Sequence, residues 1–202
     1  MERVLDRYFD ALNDTMRGIE ATGAAGERMR TDAAIDRVIG LIGGATSGGF
    51  KTMFIGNGGS AAIASHMAND FSQNGKFPAM AFNDAAALTC LGNDDGFESV
   101  FAGQIGMHGR RGDVLVAISS SGESPNILNG VTTALERGIA VLTVSGFDPN
   151  NRLRRRGAVN FYVPSGEYGI VEISSQALLH AVLDLAMGWT GAATRPASAI
   201  RS

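Results

Sequence analysis

The chain has 202 residues, 45% hydrophobic and 18% charged, which is long and apolar enough for one α/β domain with a packed core. Its net charge of −3 excludes the basic surface typical of nucleic-acid-binding proteins. No apolar run approaches the length of a membrane span, the N-terminus does not resemble a signal peptide, and Cys90 is the only cysteine. We therefore expect a cytoplasmic protein without an intrachain disulfide and without membrane or nucleic-acid partners.

Two amphipathic helices are predicted ahead of the first strand. Val4 and Tyr8 belong to an apolar stripe at helical spacing over residues 2–20, and a second stripe covers residues 31–43. Together they form an N-terminal helical extension over about residues 1–48. Its apolar faces can pack either on the sheet or on a partner subunit.

Short apolar runs alternate with helical patterns over the rest of the chain. Five strands are predicted, at Thr52–Ile55, Ala79–Phe82, Val114–Ile118, Ala140–Val144 and Asn160–Val163. Helices are predicted between them and after the last one, at Ser60–Asn74, Asp84–Leu91, Gly96–His108, Ser124–Arg137 and Glu167–Gly188. The pattern predicts a single α/β domain over residues 1–189, a three-layer αβα sandwich with a five-stranded mostly parallel sheet. Residues 190–202 carry no pattern and are predicted to be disordered.

The first strand ends in a glycine turn, Gly56-Asn57-Gly58-Gly59, with Ser60 placed to cap the next helix. Glycines permit positive φ and close backbone approach, and the N–H groups at a helix start favour an anion. The turn lacks the lysine of a nucleotide-binding P-loop. It is either a phosphate cradle or a tight strand-to-helix turn.

The third strand ends in a serine-rich turn, Ser119-Ser120-Ser121-Gly122-Glu123-Ser124, followed by Pro125 and Asn126. Hydroxyl and backbone donors at a strand end suit a phosphate, whereas the simpler reading is a polar loop with Ser124 as a helix cap. Because the carboxyl ends of parallel strands share one sheet edge, the two turns together can hold one phosphate by neutral donors.

GNGGS, SSSGESPN and the Asn93-Asp94 pair in LGNDDGF resemble the SIS (sugar isomerase) phosphosugar-binding domain family, and residues 1–189 resemble its phosphoheptose isomerase branch. The resemblance implies a flavodoxin-like strand order and a homotetramer. It also implies an aldose–ketose isomerase that converts sedoheptulose 7-phosphate to D-glycero-D-manno-heptose 7-phosphate by acid/base proton transfer.

The resemblance also implies roles for individual residues. Asp70 and His180 match the catalytic acid/base positions. One Zn²⁺ per active site is implied, with the ligands His66, Asp70, Glu172 and His180. Substrate contacts are implied for Asn57, Gly58, Ser60, Asn93, Asp94, Ser119, Ser120, Ser121, Ser124 and Glu172.

Two positions depart from the family pattern. Asp70 stands where the family has a longer glutamate, and Glu172 stands where it has a glutamine. On a straight helix, residues 172 and 180 lie about 12 Å apart, so Gln176 is a rival for the position facing the metal.

Two other functions stay open. One is the isomerisation of another sugar phosphate. The other is a non-catalytic SIS protein that binds phosphosugars and has a regulatory role, like the DnaA-binding members that regulate the initiation of replication. Asp70 and His180 are retained here, which favours an enzyme, since isomerisation needs a base near the C–H group and an acid for the oxygens.

Overall fold

The structure, a computed structural model, describes residues 2–191. Within that range seven α-helices form: α1 Glu2–Arg17, α2 Thr31–Ser47, α3 Gly59–Gln73, α4 Ala85–Asp94, α5 Val100–His108, α6 Pro125–Glu136 and α7 Tyr168–Ala186. The same residues form seven strands: β1 Glu20–Gly23, β2 Arg28–Met29, β3 Thr52–Ile55, β4 Ala79–Ala81, β5 Val114–Ser119, β6 Ala140–Ser145 and β7 Val159–Tyr162. Most of the predicted tail lies outside the described residues.

All seven strands belong to one sheet, with the order β2-β1-β7-β6-β5-β3-β4. The five strands from β3 to β7 run parallel, and among themselves they follow the second-first-third-fourth-fifth order of flavodoxin-like sheets. This confirms the expected strand order and the mostly parallel sheet. The turns after β3 and β5 therefore start from the carboxyl ends of two neighbouring parallel strands and lie next to each other.

Helices cover both faces of the sheet, as the continuous apolar strands require. Phe54 belongs to a core built with α2, α3 and α7, whereas its neighbours Met53 and Ile55 belong to a second core with α5 and α6. All three are fully buried. The predicted three-layer αβα sandwich is thus confirmed.

The predicted number of strands, five, is wrong, because the N-terminal extension contributes a hairpin as well as two helices. β1 pairs antiparallel with β2 and also with β7, the last strand of the parallel part of the sheet. The side chain of Arg154, which lies between β6 and β7 in the sequence, stabilises the hairpin. Its Nη2 lies 2.6 Å from Oε2 of Glu20, and its guanidinium group stacks on the ring of Tyr162. Strands of four and two residues carry too little apolar patterning to be recognised in the sequence.

The long apolar helix predicted at Glu167–Gly188 is confirmed as α7, with ends one residue later and two residues earlier than predicted. Its 19 residues have a mean hydropathy of 1.2, enough for a membrane span by length and composition alone. Leu179 and Val182 are buried in the core on α2 and α3 instead, while His180 and Asp184 interrupt the apolar surface. The helix α7 therefore packs as a core helix of this domain.

Candidate functional site

The turn after β3 leaves the start of α3 open. The helix begins at Gly59, and Gly58 occupies the N-cap position with φ +54°, a conformation that favours glycine. No side chain within residues 2–191 caps this helix, so the prediction that Ser60 caps it is wrong. Ser60 lies in the first helical turn and is buried. The uncapped N–H groups and the helix dipole make this end attractive to an anion.

The turn after β5 exposes a second helix start. Pro125 opens α6 as predicted, and Ser124 occupies the N-cap position, although its hydroxyl makes no capping bond in the described chain. Ser119 Oγ lies 3.5 Å from Ser124 Oγ and accepts a hydrogen bond from the Gly122 N–H at 3.2 Å. Hydroxyls and backbone N–H groups therefore converge on the space in front of α6.

A pair of side-chain amides joins the two turns. Asn57 Nδ2 donates to Asn126 Oδ1, and Asn126 Nδ2 donates to Asn57 Oδ1, both at 2.9 Å. Asn126 is buried and was not among the predicted site residues. Its place directly after the serine-rich turn is the sequence signal that points to it.

A cavity of about 130 Å³ lies between the turns and is lined by Asn57, Ser60, Ser119, Ser120, Ser121, Ser124, Tyr168 and Glu172. Seven of these eight residues were predicted to contact the ligand, and Tyr168 was missed. As far as the described chain shows, the lining carries no lysine or arginine. A bound phosphate would be held there by hydroxyls, backbone N–H groups and two helix dipoles.

A second group of polar side chains forms where α3 packs on α7. His66 Nε2 lies 3.3 Å from Asp70 Oδ2, and His180 Nδ1 lies 3.9 Å from the same oxygen. The two imidazole rings are 5.2 Å apart, edge to face. Because His66 and Asp70 are four residues apart, the sequence predicted that they lie on the same face of α3. His180 joins them because α7 packs on α3.

The geometry of these three side chains fits a divalent metal. One potential ligand atom from each lies within 4.8 Å of the others. Tetrahedral ligands 2.0–2.1 Å from zinc lie about 3.3 Å from each other, so small side-chain rotations bring all three into range. Two imidazoles and one carboxylate are ligands that zinc accepts, and three protein ligands leave a fourth position open for substrate.

Glu172 lies in the cavity. It lies outside the group formed by His66, Asp70 and His180, which we call the histidine group. Its carboxyl group packs directly on the Cα of Gly59, where any larger residue would overlap with it. Residue 172 is eight positions before His180, about 12 Å along α7. Its role as a metal ligand, and the rival role of Gln176, stay predictions.

The predicted contacts Asn93 and Asp94 lie elsewhere. They end α4, are exposed, and bond to each other, with Asn93 Nδ2 donating to Asp94 Oδ1 at 2.8 Å. Neither lines the cavity or belongs to the histidine group. Within one chain the structure therefore does not bring them to the other site residues.

An open groove of about 1000 Å³ adjoins the histidine group on the side away from the cavity. Asp70 and His180 line it, together with other residues that include Lys76 and Trp189. The polar group is thus reachable from solvent.

Residues 7–146 match the SIS domain family. The chain belongs to this family. The phosphoheptose isomerase of a Bradyrhizobium strain is 42% identical over 148 residues, which are 68% of this chain and 75% of that protein. The enzyme of the same name from an Escherichia coli O7:K1 strain is 36% identical over 149 residues, 70% of this chain and 77% of that one. The resemblance to the phosphoheptose isomerase branch is confirmed.

Solved structures agree with the fold. The phosphoheptose isomerase of Neisseria gonorrhoeae superposes with a TM-score of 0.77 at 30% identity, over 92% of this chain and 98% of that one. The Vibrio vulnificus NanR protein, solved with ManNAc-6P, superposes with a TM-score of 0.66 at 17% identity, over 89% of this chain and 59% of that one. At that identity the second similarity concerns the fold alone.

Proposed function

We propose that this SIS protein is a phosphoheptose isomerase, which interconverts sedoheptulose 7-phosphate and D-glycero-D-manno-heptose 7-phosphate. The observation that carries the proposal is the pairing of two sites along α3 and α7. A cavity lined mainly by hydroxyl and amide groups, together with the Glu172 carboxyl group, lies at the start of both helices, and His66, Asp70 and His180 meet further along them. A phosphate anchor at a distance from an acid/base group suits a substrate that reacts far from its phosphate.

The length of the substrate suits this separation. Sedoheptulose 7-phosphate reacts at C1 and C2 and carries phosphate on C7, and its carbon chain spans about 8 Å when extended, with C–C bonds of about 1.5 Å. The step from Glu172 at the cavity to His180 is about 12 Å along α7, which leaves room for the phosphate ester. We therefore propose that the sugar binds as an open chain in an extended conformation.

The reaction moves one proton between carbons and one between oxygens. The Asp70 carboxylate removes a proton from C1 of the ketose and returns it to C2, while His180 carries the hydroxyl proton from O1 to O2. His180 Nδ1 and Asp70 Oδ2 lie 3.9 Å apart, so the two side chains can reach a carbon and the neighbouring oxygen of one substrate from the same side. The ketose carbonyl becomes a hydroxyl, and C1 becomes the aldehyde.

We assign one Zn²⁺ per active site to His66, Asp70 and His180, with Glu172 as a further candidate ligand. When bound, zinc polarises the carbonyl oxygen and stabilises negative charge on it. The assignment of zinc is supported by the distances of 3.3 Å and 3.9 Å from the two imidazoles to the Asp70 carboxylate.

We also propose that the working form is a cytoplasmic homotetramer. Val4, Leu5 and Phe9 of α1 are each more than half exposed, on the apolar side of an amphipathic helix. Exposed apolar residues clustered on one helix are typical of a subunit interface.

The proposed function is tested by incubating the purified protein with sedoheptulose 7-phosphate, before and after removal of metal and with zinc restored. We expect aldose phosphate to form, to stop without metal and to resume with zinc, whereas His180→Ala stays inactive throughout. Metal analysis of the untreated protein should give about one zinc per chain, less in His66→Ala. No turnover by zinc-loaded wild type contradicts the proposal.

The alternative of a phosphosugar-binding regulator is favoured by one observation: the cavity of neutral donors does not depend on the histidine group for its construction. Such a protein would bind the sugar phosphate without converting it. The turnover assay separates the two, since a regulator binds sedoheptulose 7-phosphate and releases it unchanged.

A further inference from the structure

The serine loop, residues 119–124, has few contacts of its own to hold it in shape. The Gly122 N–H bonds to Ser119 and the Glu123 N–H bonds to Ser121 Oγ at 3.2 Å. Gly122 has φ +64°, a conformation that favours glycine, and glycine restricts the backbone less than any other residue. A loop that must present several hydroxyls to one ligand needs support from outside.

That support comes from the segment after β6, which we call the support segment (residues 146–153). β6 pairs with β5, so the support segment leaves the sheet beside the serine loop. The Gly146 N–H donates to Ser120 O at 2.9 Å, and the Leu153 N–H donates to Gly122 O at 3.1 Å. Two backbone bonds therefore fix the serine loop from behind.

Asn151 holds the support segment together. Its side chain is 1% exposed, and its Nδ2 donates to Ser145 Oγ at 3.1 Å, to Gly146 O at 3.2 Å and to Asp148 O at 2.8 Å. Its Oδ1 accepts from the Arg154 N–H at 3.0 Å. One buried amide thus ties both ends of the segment that carries the two bonds to the serine loop.

Asn151 also touches the serine loop directly. Its side chain packs against the Cα of Gly122, where any added Cβ would overlap with the amide. The residues that line the cavity do not include Asn151. Its position therefore determines where the loop backbone lies, without contact with a ligand.

An exposed ion pair adds a second connection. The Arg152 N–H donates to Glu123 Oε1 at 2.7 Å, and the guanidinium pairs with the same carboxylate. These hydrogen bonds, the backbone one first, hold the pKa of the Glu123 carboxyl below its usual range. Glu123 lies between Ser121 and Ser124, both of which line the cavity, so Arg152 neutralises a charge that would repel phosphate.

We propose that Asn151, assisted by Arg152, is a positioning residue that holds the serine loop in its phosphate-binding shape. The proposal rests on the proposed function, since it assumes that the serine cavity binds the phosphate of the substrate. It assigns to the support segment a role in substrate affinity and none in the proton transfer.

The test measures binding of inorganic phosphate by titration calorimetry, together with KM, kcat and zinc content. For Asn151→Ala we expect about tenfold weaker phosphate binding and a KM raised by a similar factor, because a buried amide and its bonds are lost. We expect kcat within about twofold of wild type, because the phosphate contacts stabilise the bound substrate and the transition state equally. Zinc content should not change. Asn150→Ala, an exposed amide in the same segment, is the matched control.

A folded Asn151→Ala protein that binds phosphate as tightly as wild type overturns the inference. A wild type that binds no phosphate contradicts the proposed function instead, so the two failures are distinct. If Asn151→Ala does not fold, Arg152→Ala decides, because both partners of its ion pair are exposed. We expect about threefold weaker phosphate binding at low salt, restored only in part by adding Glu123→Gln, because the charge is removed but the guanidinium contact with the serine loop is not regained. Unchanged binding in Arg152→Ala, or full restoration by Glu123→Gln, then overturns the inference.

Discussion

The amides of Asn57 and Asn126 exchange two hydrogen bonds of 2.9 Å and so connect the turn after β3 with the turn after β5. Each turn opens a helix with no side-chain cap among the residues described. The amide pair fixes the distance between these two helix starts. It therefore sets the size of the cavity that both turns line.

Removing either amide should loosen the cavity. For Asn126→Ala and for Asn57→Ala we expect a phosphate affinity about tenfold lower, because both hydrogen bonds between the two side chains are lost. A double-mutant cycle should give a coupling energy of about 1–2 kcal/mol. Calorimetry with inorganic phosphate measures both. Asn129→Ala, at an exposed position of α6, should bind like wild type, and equal binding by all variants would contradict this role.

The contact between Gly59 and Glu172 predicts that a larger residue at position 59 lowers activity by displacing the Glu172 carboxyl group. Gly59→Ala should keep the helix but push the Glu172 carboxyl out of place, lowering kcat/KM by about tenfold or more. In a Glu172→Ala background the same change should cost nothing further. Gly40→Ala meets no atom within 4 Å and should raise the free energy of unfolding by about 0.5–1 kcal/mol without loss of activity. An additive double variant would disprove the contact.

Asp70 is expected to be the most sensitive position of the histidine group. Asp70→Asn keeps the size of the side chain but removes the base, so kcat should fall by about 10²–10⁴. Zinc affinity should fall as well, since an anionic ligand is lost. Steady-state kinetics and metal titration measure the two effects. Asp36→Asn, on the exposed side of α2, serves as the control and should match wild type.

The buried carboxyl of Asp113 should make stability depend on pH. Burial alone raises its pKa, but hydrogen bonds from Lys51 Nζ at 2.7 Å and from the backbone N–H groups of Lys51 and Arg110 outweigh it, and the pKa is lowered. A lowered folded-state pKa means that this stabilisation is present above the unfolded value of about 3.9 and is lost as pH falls below it.

Chemical denaturation at several pH values tests this effect. Wild type should lose stability steeply between about pH 4 and the lower folded-state pKa. Asp113→Asn should be less stable at pH 7 by about 3 kcal/mol, because Lys51 loses its buried partner, and its acid slope should be shallower. Asp36→Asn, at an exposed position of α2, should keep the wild-type slope. An unchanged slope in Asp113→Asn would count against the assignment.

The apolar side of α1 should control assembly. Phe9→Glu places a charge among exposed apolar residues and should convert the proposed tetramer to smaller species. Analytical ultracentrifugation measures the mass, and Arg17→Glu at the end of the same helix is the control. A wild-type monomer at micromolar concentration would refute the assembly.

The parallel strands were predictable because each is a continuous apolar run, and β3 matches its predicted bounds, Thr52–Ile55, in full. The hairpin was not predictable, since β1 and β2 exist through pairing with β7 rather than through their own patterns. Sheet pairing at the edge decided their conformation.

The site was predictable to the extent that it is local in sequence. His66 and Asp70 are four residues apart on one helix, and the serine loop is contiguous. The link to His180 is a tertiary contact between α3 and α7, which spacing cannot reveal, so it rested on family resemblance. Tyr168 was missed because a tyrosine at a helix start carries no specific signal.

The attachment of β1 to β7 has a consequence for the order of folding. Glu20 and Arg154 bond across 134 positions of sequence, so the hairpin cannot reach its place until most of the chain has been synthesised. Loop closure over that separation is slow compared with the pairing of neighbouring elements. During synthesis the hairpin can therefore pair with β7 only after β3 to β6 and Arg154 have left the ribosome.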